Sequence, residues 1–350
     1  MIYVLIAILF FGLLVVVHEL GHFLTAKACG VRVNEFSVGM GPALWSKQKG
    51  ETTYSLRAVP FGGFCAMEGE DEQLDDPRAF TSAKWWKRMI ILCAGSFMNF
   101  LCGLLIIVII FSDAVAFRAP IIDSFMDGCP YEAADGLQAG DRFYKIDGHR
   151  IYEYSEVSEY LRASEVHDIV VIRDGKKVTL EDYSMVPVEY EGYEKKMYGF
   201  YFGYEDATFG TILKNSWYTA MDFSRLVADS LRELIRGKVS VDDLSGPVGI
   251  VDMMAETGES AETFADALFN IAYFGAFIAI NLAIMNMRPI PALDGGRVFL
   301  LFVTLIIETI TGKKLNPKYE GYIHAAGMVL LLALMAFIMF QDIFKLVFKS

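Results

Sequence analysis

The chain has 350 residues, 54% of them hydrophobic and only 21% charged, with a formal net charge of −12. The charged share falls below the ~25% of soluble domains, and the apolar excess points to lipid as solvent. Five cysteines are too few for a disulfide scaffold, and the negative charge argues against nucleic acid as a partner. The acidic excess is concentrated: residues 117–264 hold 28 acids against 15 bases. That distribution reads as a soluble insert between membrane segments.

In chain order, residues 1–17 carry no charge and run on into His18-Glu19-Leu20-Gly21-His22. Residues 1–26 are therefore predicted as a first transmembrane helix. A removed signal peptide is the alternative, but no Lys or Arg precedes the apolar run. On a helix, positions i and i+4 share a face, so His18 and His22 can grip one metal ion together. Two neutral imidazoles suit Zn²⁺, and Glu19 can reach a water as general base. Each polar side chain inside a span costs ~2.5 kcal/mol or more, so three on consecutive turns imply a function rather than a satisfied polar core.

Residues 27–88 are predicted as a cytoplasmic-side, membrane-associated segment containing a β-hairpin. Its strands are Val31–Trp45 and Thr52–Phe64, with a polar turn at Ser46–Glu51. Residues 89–113 form the second span. Within 117–188, the run Tyr131-Glu132-Ala133-Ala134-Asp135-Gly136-Leu137-Gln138-Ala139-Gly140-Asp141 and the later Ile146-Asp147-Gly148 resemble a PDZ domain. A strand at Asp168–Arg173 and a turn at Asp174-Gly175 continue that pattern, and PDZ grooves take peptides by strand addition. His149 and His167 read as lone surface histidines. Residues 189–264 are predicted as an extracytoplasmic linker with an amphipathic helix over Trp217–Ile235.

Residues 265–308 form the third span. It runs apolar over 267–287, breaks, and resumes over 298–307. The break holds Pro289, Pro291, Gly295 and Gly296, which interrupt a helix. Irregular backbone at membrane depth is tolerated only inside protein or around a wet cavity. Asp294 lies in that break, well placed to join His18 and His22 as third ligand; a helix cap or loop acid is the alternative. Residues 321–344 are the fourth span. The clusters Lys27/Arg32, Lys84/Lys87/Arg88 and Lys313/Lys314/Lys318 all fall on one side of a four-span arrangement, which the positive-inside rule makes cytoplasmic. The insert and both termini then lie outside.

His18–His22 together with Asn286-x-x-Pro289-x-Pro291-x-Leu293-Asp294-Gly295-Gly296 resembles the site-2 protease family of intramembrane zinc metalloproteases, and more narrowly its bacterial RseP-type branch. Phe61-Gly62-Gly63-Phe64, Ala94-Gly95-Ser96-Phe97-Met98-Asn99-Phe100 and Ser245-Gly246-Pro247-Val248-Gly249-Ile250 extend the resemblance. Arg288 departs from it, standing where the family usually has an apolar residue. The resemblance implies zinc on His18, His22 and Asp294, Glu19 activating water, and Asn286 hydrogen-bonding the substrate backbone. It also implies that the hairpin dips into the membrane and adds a substrate strand to its edge.

The expected fold is thus a polytopic α-helical membrane protein of four transmembrane helices with an inserted extracytoplasmic α+β PDZ domain. The expected activity is zinc-dependent endoproteolysis inside the cell membrane, on single-span membrane proteins such as anti-sigma factors or on remnant signal peptides. A catalytically silent membrane PDZ receptor is the rival reading. The oligomeric state is left open.

Overall fold

An apolar run without proline satisfies its own backbone as a helix, and α1 (Ile2–Cys29) does so over 28 residues. The structure is a computed structural model that describes residues 2–70, 74–238, 246–312 and 318–348. Ser245, Lys313 and Lys314, singled out in the sequence, lie outside the described residues. After α1 the chain forms β1 (Val33–Lys49) and β2 (Thr52–Met67), paired antiparallel from Lys49↔Thr52 to Val33↔Met67. The predicted hairpin is present, but its strands run further and only Gly50 and Glu51 separate them. β1 doubles back at Gly39 and Gly41, whose φ values of 85° and 83° suit glycine. Ser37 consequently has two register partners, Ser55 and Phe64. A short 3₁₀ turn (Phe80–Ser82) leads to α2 (Trp85–Phe111). Ala26, Val33, Met67, Phe80 and Ile91 pack into one buried cluster, which fixes the hairpin between the ends of α1 and α2.

Residues 108–219 form one unit, and the flanking parts of the chain form the other. The first unit holds β3 (Ala116–Phe125), β4 (Arg142–Ile146), β5 (His149–Arg150), α3 (Tyr154–Leu161), β6 (Val166–Arg173), β7 (Lys176–Ser184) and β8 (Phe200–Asp206). The strand order is β7-β6-β4-β3-β8, with β5 on β4. Ile122, Leu137, Phe143, Ile146, Ile169 and Val171 fill its core. Fully buried Asp141 is held by a bidentate pair from Arg173, Nε to Oδ1 and Nη2 to Oδ2, both at 2.7 Å.

Two expectations are corrected here. The sheet does not end by residue 188: β8 lies in the stretch expected to be linker and pairs with β3 from Ala116↔Asp206 to Phe125↔Phe200. The physical reason is that β4 meets β3 only at Ile121↔Arg142, so β3 needs a second neighbour for its backbone. His167 is not a surface residue but is 1% exposed, with Nδ1 2.7 Å from Asp147 Oδ2 and Nε2 3.0 Å from Ser164 O. Burial raises the Asp147 carboxyl, but the His167 ring and the Asp168 N–H bound to it outweigh that and hold it below the ordinary range. His149 is exposed, as expected, and stacks on Tyr160.

Beyond the sheet comes α4 (Phe209–Ile235), which starts earlier than the predicted Trp217 because Thr208 Oγ1 accepts from Thr211 N and caps it. Then follow α5 (Pro247–Glu259), α6 (Phe264–Asn286), α7 (Asp294–Thr311) and α8 (Lys318–Phe348). Ala7 of α1, Val251 and Met254 of α5 and Ile271 of α6 share a buried cluster. α1, α2, α6 and the Gly321–Asp342 part of α8 are long and apolar enough to cross a membrane. The break between α6 and α7 covers residues 287–293, and the helix resumes at Asp294 rather than at 298.

Candidate metal centre

His18 and His22 project from adjacent turns of α1 and are both buried. Asp294, the first residue of α7, meets them although it lies far along the chain. His18 Nε2 is 3.2 Å from His22 Nε2, and Asp294 Oδ2 is 3.0 Å from the first and 3.3 Å from the second. Asp294 Oδ2 is buried and no donor hydrogen is aligned on it. A triangle of two imidazole nitrogens and an orphaned carboxylate oxygen suits a divalent cation. With zinc–ligand bonds of about 2 Å, a tetrahedral edge is about 3.3 Å, close to the observed separations. The donor set therefore fits zinc with room for one further ligand.

Glu19, one position round α1, faces the hairpin: a Cβ built on Gly63 of β2 would lie 3.4 Å from Glu19 Cγ and 2.8 Å from Ser37 O. Asn286 closes α6 at the rim of the break, and its amide is not among the hydrogen-bond partners of the triad.

A model of peptidase family M50 matches residues 6–334. The chain belongs to peptidase family M50. A Clostridium acetobutylicum protein named as a zinc metalloprotease is 34% identical over 97% of both chains. The regulator of sigma-W protease RasP of Bacillus subtilis is 28% identical, again over 97% of each. A Campylobacter jejuni protein named as a zinc metalloprotease is 28% identical over 98% of this chain and 94% of its own. This M50 chain is accordingly a multi-pass membrane zinc metalloprotease.

In the M50 chain, groups that sequence reasoning left without a role hold the triad in place. His22 Nδ1 lies 2.8 Å from Ile91 O of α2, which fixes the tautomer that leaves Nε2 unprotonated. Asn99, 1% exposed, meets His18 Nδ1 at 3.4 Å. The amide orientation that serves a metal ligand puts Asn99 Oδ1 on Nδ1–H. Gly95 passes between these two contacts, and a Cβ there would collide with His22 Nε2 and lie 2.7 Å from His18 Cε1. The available signal was a Gly, a Ser and an Asn within five residues of a largely apolar span.

The break is held as tightly. Side chains on Gly295 or Gly296 would collide with the backbone of Met287, Arg288 and Ile290, so α7 packs its first turn directly on the broken segment. Ala292 takes a φ of 81°, a conformation costly for alanine, and its N–H donates to His324 Nδ1 of α8 at 3.3 Å. Arg297, one turn after Asp294, pairs with Glu70 just beyond β2.

Proposed function

We propose that His18, His22 and Asp294 hold the zinc of this peptidase and that Glu19 is its general base. The observation that carries the reading is the convergence of two imidazole Nε2 atoms and one orphaned carboxylate oxygen within 3.0–3.3 Å of one another. Zinc bound there supplies a Lewis acid that acidifies water and polarises a carbonyl. Glu19 takes the proton of the attacking water and delivers it to the leaving amine. Asn286 and the hairpin edge bind substrate backbone: a peptide bond inside an intact helix is shielded, so the segment must be captured in extended form.

The HExxH pair then lies in the first of four spans, residues 1–26, followed by the hairpin region (27–88), span two (89–113) and span three with its break (265–308). The last span is 321–344. The sheet unit is a PDZ domain outside the cytoplasm, as are both termini. We extend its boundary from 188 to Asp206, a reading that the pairing of β8 with β3 supports. Substrates are single-span membrane proteins of the regulated kind, or signal-peptide remnants; the name of the sigma-W relative favours the former.

The test is zinc content and cleavage in purified protein. Glu19→Gln should keep about one zinc per chain and lose cleavage of a single-span test protein, by ~10²-fold or more. His22→Ala and Asp294→Ala should lose both. Zinc retained in both ligand variants sinks the assignment, and zinc bound without cleavage by the wild type favours a silent receptor.

A further inference from the structure

A cavity of about 530 Å³ opens beside the metal triad, between α2 and the end of α6. Ser96, Phe97 and Phe100 wall it on one side, and Ile284, Met287 and Arg288 on the other. Both walls adjoin the triad. Gly95, which touches both histidines, precedes Ser96, and the backbone of Met287 and Arg288 packs on Gly295 beside Asp294. Phe97 is 63% exposed, so the cavity opens on the flank of α2.

Besides the weakly polar Cys93 thiol, the lining is apolar except for two groups without a hydrogen-bond partner among the described residues. Ser96 Oγ is buried without a hydrogen-bond partner, on a residue only 3% exposed. Arg288 Nε is likewise buried without an acceptor, and no carboxylate pairs with that guanidinium among the described residues. A buried donor left unmade is costly, more so on a charged group, so such donors at a cavity imply an occupant that supplies acceptors. One fixed positive charge and one hydroxyl over an apolar floor are complementary to a carboxylate on a short methylene stem.

A lipid phosphate offers the same oxygens, but depth argues against it. Lys84, Lys87 and Arg88 mark the headgroup level at the start of α2. Ser96 stands eight residues further on, about 12 Å up the helix and well inside the hydrocarbon. A substrate strand drawn to the triad can carry a side chain to that depth, whereas a headgroup belongs at the surface.

We infer that this cavity is a substrate subsite in which Arg288 and Ser96 select an acidic side chain of the segment being cut. The inference rests on the peptidase reading and deepens it by naming a substrate class.

The experiment uses a single-span test protein in which one Glu, Gln or Lys is placed at successive positions along the half of the segment nearest the cytoplasm. Binding to full-length Glu19→Gln protein in nanodiscs reads the subsite, and cleavage by the wild type reads the peptidase, so the two failures separate. At one position Glu should bind about tenfold better than Gln, and Lys worse. Arg288→Met should collapse the Glu preference, Ser96→Ala should weaken it, and Arg288→Glu should reverse it in favour of Lys. Zinc content serves as the check that each variant is folded, with Arg288→Lys retaining part of the preference. Equal binding of all three residues at every position overturns the inference, as does a dependence on anionic phospholipid with none on substrate charge. Absence of cleavage while the Glu preference stands overturns the peptidase reading alone.

Discussion

At the scale of single residues, the proposed metal site depends on atoms that are absent as much as on those present. A methyl group at residue 95 would occupy the space of His22 Nε2 and press on the His18 ring. Gly95→Ala should therefore lower zinc affinity by about 10- to 100-fold, as loss of a supporting contact typically does. Helix propensity by itself would favour the alanine. Zinc titration of the purified variant checks this, with circular dichroism confirming that α2 is intact; unchanged affinity would mean that α2 does not hold the histidines. The His18–His22 pair was legible in the sequence because i, i+4 spacing is local geometry. Asp294 was legible because prolines and glycines announce a break at membrane depth. Ile91 and Asn99 were not, since their partners lie 69 and 81 residues away in the chain and are chosen by helix packing. His167 was misread for the same reason: nothing in its own neighbourhood discloses Asp147.

Between elements, the strongest ties run across long stretches of sequence and end on backbone. The four N–H groups that open a helix need acceptors, and α5 finds no side-chain cap next to it in sequence. Asp342 of α8 supplies one instead, with Oδ2 accepting from Gly246 N at 2.9 Å and Gly249 N at 3.0 Å. The residue is only 5% exposed, so removing its carboxylate strands one buried and one half-buried donor. Asp342→Ala should cost about 2 kcal/mol of stability, and Asp342→Asn, which keeps an acceptor oxygen, less than half of that. Thermal unfolding in detergent reads the difference; identical midpoints for the two variants would show that the cap is not what joins α8 to α5. Since α5 packs on α1, this tie supports the helix that carries His18 and His22. The hairpin and β8 show the limits of reading elements from sequence. The alternation of β1 and β2 revealed a hairpin, but the fold-back at Gly39 and Gly41 is a tertiary choice. β8 is seven residues long and separated from β7 by a polar stretch, so its partner could not be named.

At the scale of the whole molecule, charge decides orientation. The first two basic clusters are brought together in the fold, because Lys87 Nζ donates to Cys29 O at 2.7 Å while Lys27 and Arg78 both hold Glu51 at 2.7 Å. The two hydrogen bonds to Glu51, from Arg78 and from Lys27, keep its carboxyl at about 2, well below an ordinary glutamate. Positively charged short loops stay in the cytoplasm, and by that rule we place the end of α1, the hairpin turn and the start of α2 there. On the proposed four-span arrangement, residues 117–264 and both termini would lie outside. The acidic insert is consistent with this, since long domains translocate largely regardless of charge. In a background lacking the five native cysteines, single cysteines at Gln48 and Lys84 should react with a membrane-impermeant maleimide only after the membrane is opened. Cysteines at Glu181 and Glu191, both exposed in the sheet unit, should react in intact cells. Labelling of the cysteine at position 181 only from the cytoplasmic side would overturn the four-span arrangement, and the proposed substrate subsite would then face the opposite leaflet.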